Sequence, residues 1–92
     1  MIKRTFTLTN DRGLHVRPCM ALAETANRFE SEITMVHHGD GFRAKSSMFL
    51  IGAFAQQGDE ITIVCSGTDE ADAMAALEAL ITSGFEEVLT NE

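Results

Sequence analysis

The sequence predicts an α/β (α+β) domain: a four-stranded antiparallel sheet covered on one face by three helices, in the order βαββαβα. Three observations carry this. Three segments alternate apolar and polar residues with the period of two that a half-buried strand requires, and a glycine-containing turn after one of them returns the chain as a short fourth strand. Two segments repeat apolar residues at steps of three and four, and a serine cap marks a third, shorter helix. The strands bury one face only, so the sheet reads as antiparallel and open-faced, a two-layer arrangement with helices on one side.

In the first strand Ile2, Phe6 and Leu8 alternate with Lys3, Thr5, Thr7 and Thr9, and "NDRG" breaks it. From Pro18 the apolar positions Cys19, Leu22, Ala26 and Phe29 define a first helix facing a core. Ile33, Met35 and His37 alternate with Glu32, Thr34 and Val36 as the second strand. "HHGDGF" turns the chain tightly into a short third strand near Phe42. His37 and His38, read as adjacent strand residues, are expected on opposite faces, where they cannot share an ion, so no metal ligand is assigned. "KSSMFLIGAF" is a short helix begun by a serine cap and loosened by Gly52. "QGDE" leads into Ile61, Ile63 and Cys65, the alternating fourth strand. Thr68 or Asp69 caps a long last helix whose stripe is Ala73, Met74, Leu77, Leu80 and Ile81, closed by Gly84 in the position a C-terminal cap prefers.

Ninety-two residues, 45% of them apolar, build one small core, so a single domain over 1–92 is expected, with no linker, repeat or low-complexity stretch. No run of about eighteen apolar residues is present, which excludes a helical membrane span. "MIKRTFTLTN" lacks the apolar stretch of a secretory signal, so a cytoplasmic location is expected. Cys19 and Cys65 match no metal or redox spacing and read as buried thiols. A net charge of −7 argues against nucleic acid as a general partner. Its distribution says more: all seven basic residues (Lys3, Arg4, Arg12, Arg17, Arg28, Arg43, Lys45) fall in the first half, and from Asp59 onward there are nine acids and no base. Such polarity suits an anionic ligand or an acidic protein surface.

The stretch "GLHVRPC", Gly13 to Cys19, concentrates the chemistry. His15 falls at the junction of loop and helix, with Val16, Arg17 and Pro18 as the first turn, where backbone N–H groups lack intrahelical partners. Pro18 is tolerated there because its missing donor would have been unpaired anyway. The positive end of the helix dipole and the outward N–H groups at Val16 and Arg17 favour a phosphate beside His15, and the same field favours a neutral, nucleophilic ring over an imidazolium. Arg17 adds a forked set of donors for phosphate oxygens, and Gly13 permits a sharp entry into the turn. Reversible phosphorylation on a ring nitrogen needs these groups, so His15 and Arg17 are the candidate catalytic residues. The chain lacks a G-x-x-x-x-G-K-S/T loop, so no nucleotide cofactor is expected, and both phosphate donor and acceptor would be proteins.

Together with "AKSSM", where Ser46 follows His15 by thirty-one residues, and with "GDEITIVCSGTDEADAMAALEAL", the segment "GLHVRP" resembles the histidine-containing phosphocarrier (HPr) family of the bacterial phosphotransferase system. The likeness runs from about Phe6 to Phe85. It implies an open-faced β-sandwich with three helices and a phosphocarrier that is not itself an enzyme. It implies that His15 is modified on Nδ1 by Enzyme I, which draws on phosphoenolpyruvate, and passes the group to an Enzyme IIA component of sugar transport. Arg17 maps to the arginine beside the phosphohistidine, and Ser46 to a regulatory site used by a serine kinase and phosphatase, with a transcription regulator as a further partner. Ser47 stands where an aliphatic residue is more usual, Phe49 where glycine is frequent, and Arg12 where a small polar residue is common. "LITSGFEE" is similar to the nitrogen-related branch of the family.

A small domain that docks repeatedly exposes a modest apolar patch, and Met20, Met48 and Ile51 are the expected contacts, with Phe49 beside them. A monomer is expected. Ser46 is also simply a helix cap, and Ser47 is a second modifiable hydroxyl. Two other functions compete with the carrier: a regulatory module acting through Ser46, and a small phosphate hydrolase using His15 and Arg17. The hydrolase needs a second acid or base, and Asp11 is the only acid near the motif.

Overall fold

The computed structural model describes residues 1–85. Seven elements follow in order: β1 (Ile2–Thr7), α1 (Val16–Ala26), β2 (Glu32–His37), β3 (Asp40–Arg43), α2 (Ser47–Gly52), β4 (Glu60–Ser66) and α3 (Glu70–Thr82). The strands form one sheet in the order β1-β4-β2-β3, every neighbouring pair antiparallel. The expected architecture is the observed one.

The period of two explains the core. Ile61, Ile63 and Cys65 of β4 and Ile33 and Met35 of β2 are buried, and they meet in register as Ile33 opposite Cys65 and Met35 opposite Ile63. Onto this apolar face pack Cys19, Leu22 and Ala26 of α1, Leu50 of α2, and Ala73, Met74, Leu77 and Ile81 of α3. The edge strand β1 is less apolar than its alternation implies. Ile2 and Phe6 are half-buried, while Arg4, on their face, reaches outward to pair with Glu78 of α3. Leu8 lies beyond β1 but is buried, its N–H donating to the Asp59 carbonyl at 2.9 Å and its carbonyl accepting from Gly58 at 2.8 Å. Both cysteines are free and buried, as expected. Burial pushes the Cys19 thiol up to about 11, which keeps it protonated and inert near neutrality.

Three local details differ from the sequence expectations. The first helix stops at Ala26 and does not extend to Phe29. Asn27 takes over its end, donating from Nδ2 to the carbonyls of Ala23 (2.8 Å) and Lys45 (2.9 Å), and Phe29 packs on the core from the following loop. Asp69 is the N-cap residue of α3, but its carboxylate makes no capping bond; it accepts from the Glu30 and Ser31 amides at 2.9 Å each and from the Ser31 hydroxyl. Gly84, with φ of +68°, follows the α3 C-cap as the sequence predicts, so the Gly84 and Phe85 amides turn back to Ile81 and Leu80 as in a Schellman motif. Phe85, itself at φ +61°, is fully buried and seals that end.

His38 is the third. It is not a strand residue: it forms a two-residue turn with Gly39, at φ of +50° and +83°, the positive pair a tight hairpin needs. That backbone turns its ring onto His37, with ring centroids 3.8 Å apart and planes 23° from parallel. The two histidines therefore share one side of the hairpin, against the expectation of opposite faces.

Candidate functional site

His15 is the N-cap of α1, with extended backbone angles and a side chain that makes no capping hydrogen bond. Its carbonyl accepts from Cys19 at 3.1 Å, so Cys19 is the first residue of α1 whose N–H finds an acceptor inside the helix. The turn before it, Val16, Arg17 and Pro18, points its backbone toward the His15 end, and Pro18 has no donor to leave unsatisfied. The ring is half-buried, Val16 and Arg17 are exposed, and Arg17 is engaged in a polar interaction. This is the local arrangement the seven-residue motif predicts.

The loop before His15 is held from two sides. Within it, the Gly13 amide donates to the Asn10 carbonyl at 3.1 Å, and Asn10 Nδ2 donates to the Gly13 carbonyl at 2.5 Å. From outside, Leu14 N–H donates to the Ala55 carbonyl at 2.9 Å. Gly13 has φ of +59°, and a Cβ there would stand 2.5 Å from the Ala55 oxygen and 2.6 Å from Gln56 Cα. Glycine is required twice over, for its backbone angle and for the close approach of the 55–56 backbone. Buried Leu14 and the Cys19 Sγ contact to its carbonyl (3.3 Å) anchor the entry to α1 from below.

The segment after α2 is thus part of the site, which sequence reading missed. Phe54 precedes the Ala55 carbonyl that binds Leu14; it sits at φ +53° and is 74% exposed. Its exposed ring joins Met20 (54%), Met48 (81%), Phe49 and Val16 as large apolar side chains in solvent, and α1 packs directly against α2. Of the expected contacts, Met20 and Met48 are exposed, whereas Ile51 is half-buried and packs partly on the core. Nothing in the local pattern around Phe54 announces a surface aromatic. A left-handed aromatic is visible only once the backbone is known.

Ser46 is the N-cap of α2, and its Oγ accepts from the Phe49 amide at 3.3 Å. It stands at the start of the six-residue helix whose far end leads to Ala55, about 9 Å of helix rise away from that end. Ser47 is the first helical residue beside it. Helix α2, which carries these hydroxyls at its start, packs against α1, whose start carries His15. Beneath the site, the 56–59 turn is clipped by Asp59, whose Oδ2 accepts from the Gln56 amide at 3.0 Å and lies 2.9 Å from His37 Nε2. These bonds, the Gln56 amide first, hold the Asp59 carboxyl below the usual carboxylate range. Among the described residues no helix is long and apolar enough to cross a membrane.

The comparisons with known proteins agree with this geometry. A family model described as "PTS HPr component phosphorylation site" matches residues 2–83. Phosphocarrier protein HPr of Treponema pallidum (strain Nichols) is 36% identical over 87 residues, covering 95% of this chain and 99% of that protein. Phosphocarrier protein NPr of Proteus mirabilis (strain HI4320) is 38% identical over 85 residues, covering 91% of this chain and 94% of that protein. Among solved structures, HPr-C-His from Thermoanaerobacter tengcongensis superposes with a TM-score of 0.89 at 34% identity, covering 92% of this chain and 96% of that one. With a matching family model, a matching fold and near end-to-end coverage, the chain belongs to the HPr family of phosphocarrier proteins of the phosphotransferase system.

Proposed function

We propose that this chain carries a phosphoryl group on His15, taken from Enzyme I and passed to an Enzyme IIA component of sugar transport. The observation that carries the reading is the His15 side chain itself: at the N-cap position, half in solvent, and not spent on capping its own helix. In the forward step a lone pair on the Nδ1 of the ring attacks phosphorus. The N–P bond forms as the bond to the donor breaks, and the Val16–Arg17 end of α1 faces the transferred oxygens. The reverse polarity of the same step delivers the group to the acceptor. Arg17 covers the phosphate as a forked cation, and Met20, Met48, Phe49 and Phe54 offer both partners one apolar surface of adaptable side chains. Turnover is absent because the chain ends each cycle only by giving up what it received; it is a carrier and not an enzyme, and needs no cofactor.

Incubation with phosphoenolpyruvate and Enzyme I, read by intact mass, tests this. One acid-labile phosphate is expected on the wild-type chain and none on His15→Ala; no gain on the wild type overturns the proposal. Ser46 is the regulatory hydroxyl: a phosphate there adds nearly two negative charges to the cap of α2 without removing the helix. In the same assay Ser46→Asp stays folded and accepts phosphate from Enzyme I far more slowly, and an unchanged rate removes the regulatory role. Running the assay with sugar-branch and nitrogen-branch Enzyme I side by side decides which branch the carrier serves, since HPr and NPr relatives resemble it almost equally.

A further inference from the structure

We propose that His37, His38 and Asp59 form a binding site for a divalent transition-metal ion of the zinc, nickel or copper type. Two imidazoles and a carboxylate are the donor set such ions take, and one donor atom from each of the three lies within 4.8 Å of the other two. Tetrahedral zinc, with bonds of about 2.0–2.1 Å, places its ligand atoms about 3.3 Å apart. The His37 Nε2 to Asp59 Oδ2 edge, at 2.9 Å, is already of that size. Any longer separation in the triangle therefore involves His38, an exposed side chain on a two-residue hairpin turn, stacked on His37, which must leave that stack and turn about its side-chain bonds to close the triangle.

The other two ligands are fixed. His37 is 5% exposed at the end of β2 and cannot wander. Asp59 is oriented by the Gln56 amide, the kind of backbone bond to a ligating carboxylate that holds metal sites in shape. On binding, the ion takes the place of the hydrogen bond between His37 Nε2 and Asp59, and the ring ligates as the neutral tautomer with its single proton on Nδ1. On the helix-free side of the sheet His38 and Asp59, though not His37, line a groove with Thr5, Val36, Glu60 and Thr62. The Glu60 carboxylate there adds to the negative potential that draws a cation in. The site is independent of His15, the only other histidine in the chain.

Titration of the full chain with Zn2+ alone, by calorimetry in a non-coordinating buffer and by imidazole NMR, tests the site. One ion per chain is expected at micromolar affinity, with the His37 and His38 ring signals shifting together and those of His15 unmoved. His38→Gln changes an exposed turn residue at positive φ, so a metal-free thermal melt is run beside it to show that the variant folds; it should lower Zn2+ affinity at least ~10-fold. His15→Gln should bind as the wild type does. Absence of saturable Zn2+ binding, binding that survives His38→Gln, or binding lost in His15→Gln overturns the proposal, and none of these outcomes touches the carrier role of His15.

Discussion

At the scale of single residues, the site depends on backbone angles that side chains rarely adopt. Gly13, at φ +59° with the Ala55 carbonyl in the space of its absent Cβ, fixes how the chain enters α1 and so where the His15 ring stands. Gly13→Ala is expected to lower stability by about 1–3 kcal/mol, the usual cost of holding a non-glycine residue in such a conformation. Denaturant melts measure this, and phosphoryl acceptance should slow as well because the loop must move away from Ala55. Equal stability would show that the loop relaxes freely. The backbone angle that calls for glycine there was legible in the sequence, but the close approach of Ala55 was not, because Ala55 lies forty-two positions away. Phe54 and His38, both non-glycine residues at positive φ, were illegible for the same cause: only the folded backbone shows that one presents an aromatic ring to solvent and the other stacks on its neighbour. By contrast the placement of His15, Arg17 and Pro18 at a helix start was readable, since a helix start is written in consecutive residues.

At the scale of elements, periodicity located the sheet and helices, while their ends were settled by long-range bonds. Asp69 illustrates this. Its position before an apolar stripe marks a helix start, and it is the N-cap of α3, yet its carboxylate ties α3 to the loop between α1 and β2. The Ser31 hydroxyl, then the Glu30 amide, hold its carboxyl below the ordinary value of 3.8. Because the folded-state value is the lower one, this contribution to stability is present above about pH 4 and is lost as pH falls through the folded-state value. Asp69→Asn should therefore reduce stability near neutral pH and show a shallower loss on acidification than the wild type. Thermal melts from pH 7 to pH 2 measure both, and parallel wild-type and variant curves would count against the link. Arg4 teaches a similar lesson for β1: an inward position on an edge strand accommodates a cation because the strand's flank lets it reach Glu78.

At the scale of the whole molecule, an open-faced sheet leaves all three helices on one layer, and the starts of α1 and α2 with the 53–55 segment gather His15, Ser46 and the exposed Met20, Met48, Phe49 and Phe54 on that layer. The acidic second half of the chain supplies α3 and β4, whereas Arg12 and Arg17 flank the histidine. Under the proposed carrier role, this cationic, partly apolar face on an acidic body suits partners whose matching surfaces are acidic. The fold class was fully legible, because three amphipathic strands and two amphipathic helices leave few ways to close a core. The last stretch of the nitrogen-branch likeness, Glu86 and Glu87, lies outside the described residues. The most direct measurement is NMR of 15N-labelled protein phosphorylated by Enzyme I. The predicted spectrum shows phosphorus coupled to Nδ1 of His15, with the Val16 and Arg17 amides moving further downfield than any others. Phosphorus on a different side chain, or an α1 start whose amides stay where they were, would contradict the placement of the phosphate at that helix end.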